Sequence, residues 1–183
     1  SFVIIYDVYW LVRAFYTVVF VLIALARFRK AEQVDWKMRL MENAEIAERA
    51  THIRHLVVIP TYEDPLSLLE TTIGALTKTN YNIREQMIVV LAGEEREGES
   101  IQQKASLLQE KFGSAFLALF VTVHPKNIPG EIAGKGSNIH WAGKRAQEWI
   151  DAHGIQYDKV LVSSFDSDTV AHPQYFPYLT YTF

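Results

Sequence analysis

The 183-residue chain contains no cysteine, so neither a disulfide scaffold nor a cysteine-ligated zinc site can organise it. It has no Asn-x-Ser/Thr acceptor, which disfavours the secretory lumen. It also lacks a basic excess. The formal net charge is −3, whereas a general nucleic-acid binder needs a strongly basic face, so no nucleic-acid partner is expected. The six histidines have no metal-ligand spacing, and no serine stands in a nucleophile-elbow context. A histidine metal site and a Ser/His/Asp hydrolase are therefore both disfavoured. Repeats and low-complexity segments are missing too. What remains is enough length for one ordinary domain with a real core. The chain starts at Ser1 and ends in "PYLTYTF", which reads as an excerpt of a longer protein, truncated at its C-terminus.

Hydrophobic residues make up 49% of the chain, and a large share of them falls in residues 1–28. Val8 to Ala26, "VYWLVRAFYTVVFVLIALA", carries a single charge, Arg13. As a helix this run spans roughly 28 Å, close to the hydrocarbon thickness of a bilayer. Tyr6, Tyr9 and Trp10 form an aromatic belt at one end. Arg27, Arg29 and Lys30 follow the other, and the positive-inside bias places that end in the cytoplasm. Arg13 lies close enough to the aromatic end to snorkel outward or to pair inside a bundle. A secretory signal fits poorly, because the apolar run is too long and no small-residue cleavage site follows. Residues 1–28 are expected to be a transmembrane helix in the plasma or inner membrane. A buried core helix of a soluble protein is the alternative.

Residues 29–54 read as an amphipathic juxtamembrane helix. Residues 31–52 contain no glycine or proline, and Val34, Met38, Met41 and Ile46 recur at helical spacing among charges. From His55 onward the pattern alternates. "HLVVIP", "QMIVVLA", "AFLALFVTV" and "KVLVSS" are short Val/Ile-rich runs typical of strands buried on both faces. Three helical stretches separate them. The first has Asp64 as N-cap and Pro65 at its first position, the second runs from Glu99 to Phe112 before Gly113, and the third begins at Ser137. This makes residues 55–183 an α/β domain with a mainly parallel sheet and flanking helices. His140 is expected to pack on the third helix or hydrogen-bond there.

In an open α/β sheet, ligands bind outside the carboxyl ends of the strands. Each distinctive polar cluster falls at such an end: "PTYED" (60–64), "AGEERE" (92–97), "GEIAGKGSN" (130–138) and "DSD" (166–168). The third cluster is not a Walker sequence, since three residues rather than four separate Gly130 from Gly134, and Gly136 follows Lys135. It still offers a glycine loop, a lysine and a helix N-terminus that favours anions. An isolated D-x-D is more often a strand-terminating turn. Three other polar strand ends beside it shift the reading toward a clamp for Mg²⁺ or Mn²⁺, which take oxygen ligands and share them with substrate phosphates.

"HLVVIPTYED", "MIVVLAG", "GKGSNIHWA" and "VLVSSFDSDTVAHPQYF", in that order, resemble glycosyltransferase family 2 with its GT-A fold, and in particular its membrane-anchored, cellulose-synthase-like branch. The resemblance covers about residues 55–183, the amino-terminal, donor-binding half of such a catalytic domain. It implies that Thr61, Tyr62 and Glu63 hold the base and ribose of a nucleoside diphosphate sugar, a UDP-sugar. Lys135 and Asn138 match the family's lysine–asparagine segment at the diphosphate. Asp166 and Asp168 match its metal-binding D-x-D, with Asp166 also at the donor, and Pro173 and Phe176 match the residues that follow. The family usually places aspartates after the second strand. Here Ala92 and Gly93 stand there, and Glu94 or Glu95 substitutes with a longer reach or forms only a solvated acidic turn. The resemblance implies a metal-dependent, inverting transfer of sugar to a glycan or lipid acceptor, polysaccharide synthesis included. The family's catalytic base lies further along than Phe183. Two rivals remain. A nucleotidyltransferase would want a Gly/Arg-rich loop after the first strand, which "PTYED" lacks. A non-catalytic membrane-anchored domain serving in assembly would be consistent with the altered "AGEE".

Overall fold

The computed structural model describes residues 2–183. Helix α1, Phe2–Glu32, runs past both ends of the apolar stretch and is about 46 Å long. It is long and apolar enough to cross a membrane, and none of it is buried in the protein. Arg13 reaches back toward the belt. Its Nη1 donates to the Tyr9 hydroxyl at 3.1 Å, and its guanidinium lies 5.3 Å from the Trp10 ring centroid.

The single connecting helix expected over 29–54 is instead broken into three pieces. After α1 come α2, Trp36–Met41, and α3, Ala44–His52. Asp35 caps α2 by accepting from the Met38 amide at 3.1 Å, and Asn43 caps α3 by accepting from Glu45 and Ile46. Each cap starts a new helix where the charge pattern alone suggests continuity. The expected stripe is corrected with it. Met38 and Met41 are exposed, and Leu40 is the buried residue.

The domain then runs β1 (Arg54–Pro60), α4 (Leu66–Leu76), α5 (Ile83–Gln86), β2 (Met87–Glu94), α6 (Glu99–Phe112), β3 (Ala118–His124), α7 (Lys135–Ala152), β4 (Val160–Ser164) and α8 (Tyr175–Thr182). All four strands are parallel, in the order β3-β2-β1-β4. Val57 on β1 pairs with Val89 on β2 and with Ser163 on β4. The pleat sends alternate residues to two cores. Val57, Ile59, Val89 and Leu91 pack with Leu69, Ile73, Ile101 and Leu108 of α4 and α6. Leu56, Val58, Ile88 and Val90 pack with Ala142, Ala146 and Ile150 of α7. The central strands are buried on both faces as their composition suggests. Edge strand β4 is not, and its Val162 is exposed.

Two helix starts and the setting of one histidine differ from the sequence pattern. Pro65, not Asp64, is the N-cap of α4, because the Asp64 carboxylate bonds its own loop. Helix α7 begins at Lys135, with Gly134 as its cap. Ser137 lies inside the first turn, where its hydroxyl accepts from the Gly134 amide and donates to the Gly134 carbonyl. His140 is exposed on that helix rather than packed.

Candidate active site

The chain lays β1, β2 and β3 side by side in one direction, then returns through α7 to place β4 on the other flank of β1. The reversal makes the carboxyl ends of β1 and β4 a topological switch point, where neighbouring loops part and leave a crevice. A cleft of about 450 Å³ lies there. It is lined by Thr61, Tyr62 and Asp64 just after β1, Glu94 at the end of β2 and Arg96 just after it, Lys135 and Asn138 from α7, and Asp166 to Asp168 just after β4.

The β1 end is a tight loop. Asp64 Oδ2 accepts from the Thr61 hydroxyl at 2.9 Å and from the Tyr62 amide at 3.3 Å, which leaves Thr61 buried and Tyr62 exposed. Glu63 adopts φ +58°. Its amide donates to Glu97, whose carboxylate also pairs with Lys104, and Lys104 in turn donates to the Asp64 carbonyl at 2.6 Å. Glu63 is exposed and is not part of the cleft lining.

The β2 end departs from the expected carboxylate in a specific way. Glu94 is buried, and its Oε2 accepts from both Nε and Nη2 of Arg96. The guanidinium lies 4.6 Å from the Tyr62 ring centroid. The hydrogen bond that Arg96 donates to Glu94 is the first cause that holds Arg96 above its ordinary pKa, so the side chain is a permanent cation. Glu95 accepts instead from the Lys126 amide at 2.9 Å. The group that this strand presents to the cleft is thus an arginine stacked on a tyrosine. Arg96 and Asp64 are lining residues that the sequence pattern did not single out for the site. A lone cation inside "GEERE" was the available signal. Gly93 explains the rest: a Cβ there would lie 2.4 Å from Ile101 Cγ1, so α6 packs into the space a side chain would need.

Asn138 is also buried. Its Nδ2 donates to the Ala92 carbonyl at 2.7 Å, and the Thr61 amide donates to the same carbonyl at 2.8 Å. One carbonyl thereby joins β1, β2 and α7, and Asn138 acts on the cleft by fixing the helix. Lys135, one turn earlier, is half exposed and its ammonium pairs with Asp166.

Asp166 and Asp168 lie on a turn closed by the Thr169 amide donating to the Asp166 carbonyl at 3.0 Å. Both carboxylates are exposed. Turn and clamp are therefore compatible, since the turn is what brings both side chains to the cleft. Two hard carboxylates are too few to fill a six-oxygen shell, and no group of three potential ligand side chains occurs among the described residues. The donor set fits Mg²⁺ or Mn²⁺ sharing its remaining positions with phosphate oxygens and water. No protein-family model matches the chain, and no curated protein matches it either, so the cleft is read from its own chemistry.

Proposed function

We propose that the chain is the donor-binding part of a membrane-anchored glycosyltransferase of GT-A type that takes a nucleoside diphosphate sugar, most simply a UDP-sugar. The observation that carries this reading is the meeting of Asp166, Asp168 and Lys135 in one cleft at the switch point. A diphosphate needs both a cation held by carboxylates and a mobile positive side chain. Lys135 exchanges Asp166 for a phosphate oxygen, and the free amides of the first turn of α7 favour the same negative charge. Tyr62, with Arg96 against its ring, offers an aromatic surface to the base, and Thr61 and Asn138 hold that surface in register with the phosphate end. When bound by Asp166 and Asp168, Mg²⁺ or Mn²⁺ supplies positive charge against the leaving diphosphate. Acceptor deprotonation and inversion are what the family resemblance alone implies. The cations after Ala26 support a cytoplasmic domain on the inner face of the membrane.

The test is calorimetric titration of UDP into the chain with Mn²⁺ and with chelator. Metal-dependent binding is expected for the wild type, and Asp168→Ala should abolish it. Equal binding by the variant would sink the metal assignment. One observation favours a second reading, a non-catalytic domain serving in assembly: Glu94 and Glu95 both have internal partners. Such a domain would bind UDP neither with nor without metal.

A further inference from the structure

A second groove, of about 320 Å³, lies between the end of α1 and helix α8. Arg27, Phe28 and Ala31 of α1 contribute one part of its lining, and Trp36, Tyr175 and Tyr178 contribute another. Trp36 is fixed in place. Its indole N–H donates to the Ala31 carbonyl at 2.8 Å, and its ring centroid lies 4.8 Å from that of Tyr178 and 5.2 Å from that of Tyr181. The groove is therefore built by packing and does not depend on one loose rotamer.

Its position along α1 sets what reaches it. The uncharged run after Arg13 ends at Ala26, so Arg27 is the first cation past the apolar part, and Arg29 and Lys30 follow within a turn. Where α1 spans a bilayer, Arg27 stands at the headgroup level and the rings of Trp36 and Tyr178 stand beside it, the place such amphipathic rings favour. Glu32 is the one acidic lining residue, five residues and about 7.5 Å farther toward water. No residue of α1 is buried in the protein, so where α1 spans a bilayer, lipid reaches the turns that adjoin the groove.

We propose that this groove binds an anionic phospholipid of the membrane, with its phosphate against Arg27 and the start of an acyl chain along Phe28 and the rings of Trp36 and Tyr178. The proposal rests on α1 spanning the bilayer and is independent of sugar transfer. Three neighbouring cations on one turn select an anionic headgroup over a zwitterionic one. The opposite wall of the groove includes His172, four residues beyond Asp168, so a bound lipid also buttresses the segment that leads out of the candidate active site.

The experiment uses the whole chain in lipid nanodiscs with Trp10→Phe, so that Trp36 is the membrane-proximal fluorophore and Trp141 and Trp149 on α7 serve as distant references. Phosphatidylglycerol or phosphatidylcholine carrying bromine high on the acyl chain is titrated in. Trp36→Phe identifies the signal. Brominated phosphatidylglycerol is expected to quench Trp36 at a mole fraction roughly fivefold below that of phosphatidylcholine. Arg27→Gln should erase that difference and Arg27→Lys should keep it. Equal quenching by the two lipids overturns the proposal, as does an unchanged preference in Arg27→Gln. Absence of quenching by both means that protein fills the groove, and overturns it equally.

Discussion

Gly93 is the last residue but one of β2, where the family resemblance leads one to expect an aspartate, and the space for its side chain is already taken by Ile101. Ile101 is fully buried between α6 and the sheet, so it cannot swing into solvent to make room. Gly93→Ala should therefore overpack this junction and cost about 1–3 kcal/mol. Gly93→Asp should cost more, because it also brings a charge against apolar side chains. The check is chemical denaturation of Gly93→Ala, Ile101→Ala and the double variant. The double variant should be more stable than the two single losses added together, since each change relieves the other. Strict additivity would show that the glycine is there for another reason. The same residue explains why acidic side chains at this end sit at 94 and 95, and why Glu94, being buried, carries Arg96 with it.

Helix α7 shows how one side chain can set the geometry of a whole element. Asn138 Nδ2 holds the carbonyl at the end of β2, and its Oδ1 is buried with no partner. Asn138→Ala removes the bond and that unfavourable oxygen together, so the net stability loss should be only about 1 kcal/mol. Lys135 loses its fixed position one turn away, and UDP binding should weaken severalfold, beyond what the stability change accounts for. Denaturation and titration on the same sample separate the two effects. Unchanged UDP affinity would confine Asn138 to a packing role. At this scale much was legible in the sequence. Val/Ile runs mark β1 and β2 because both their faces are buried, and polar residues just after such runs mark the crevice. The break at 33–35 was not legible. It depends on Trp36 meeting Tyr178 edge to face and on Gln174 Nε2 donating to Asp35, contacts across about 140 residues that no local pattern encodes. The pairing of Glu94 was hidden for a different reason: Arg96 lies only two residues away, but the pattern does not say which neighbouring carboxylate its guanidinium takes.

Over the whole domain, the amino-terminal strand and the carboxy-terminal helix are tied together by a histidine that must stay neutral. His55 on β1 is buried. Its Nε2 is 2.8 Å from the Thr180 hydroxyl of α8, its ring meets Tyr81 and Phe176 edge-on, and its Nδ1 has no partner. Burial lowers its pKa from 6.5 to about 4. Because the folded value lies below the unfolded one, the unfolded chain takes up the proton first as pH falls. The contribution of His55 to stability is complete above the unfolded pKa of 6.5. It is lost progressively as pH falls from there to about 4, and adds no further slope below. A shift of that size corresponds to on the order of 3 kcal/mol over the window. His55→Phe keeps an aromatic ring against Tyr81 and Phe176 but carries no proton. The variant should be less stable than the wild type near pH 7, because the bond to Thr180 is gone, and the gap should narrow or reverse toward about pH 4.5. Denaturant midpoints across that range, followed by near-UV circular dichroism to read the domain rather than α1, give the comparison. Parallel pH profiles for the two proteins would mean that acid sensitivity resides elsewhere, in the carboxylates, and not in the joint between β1 and α8.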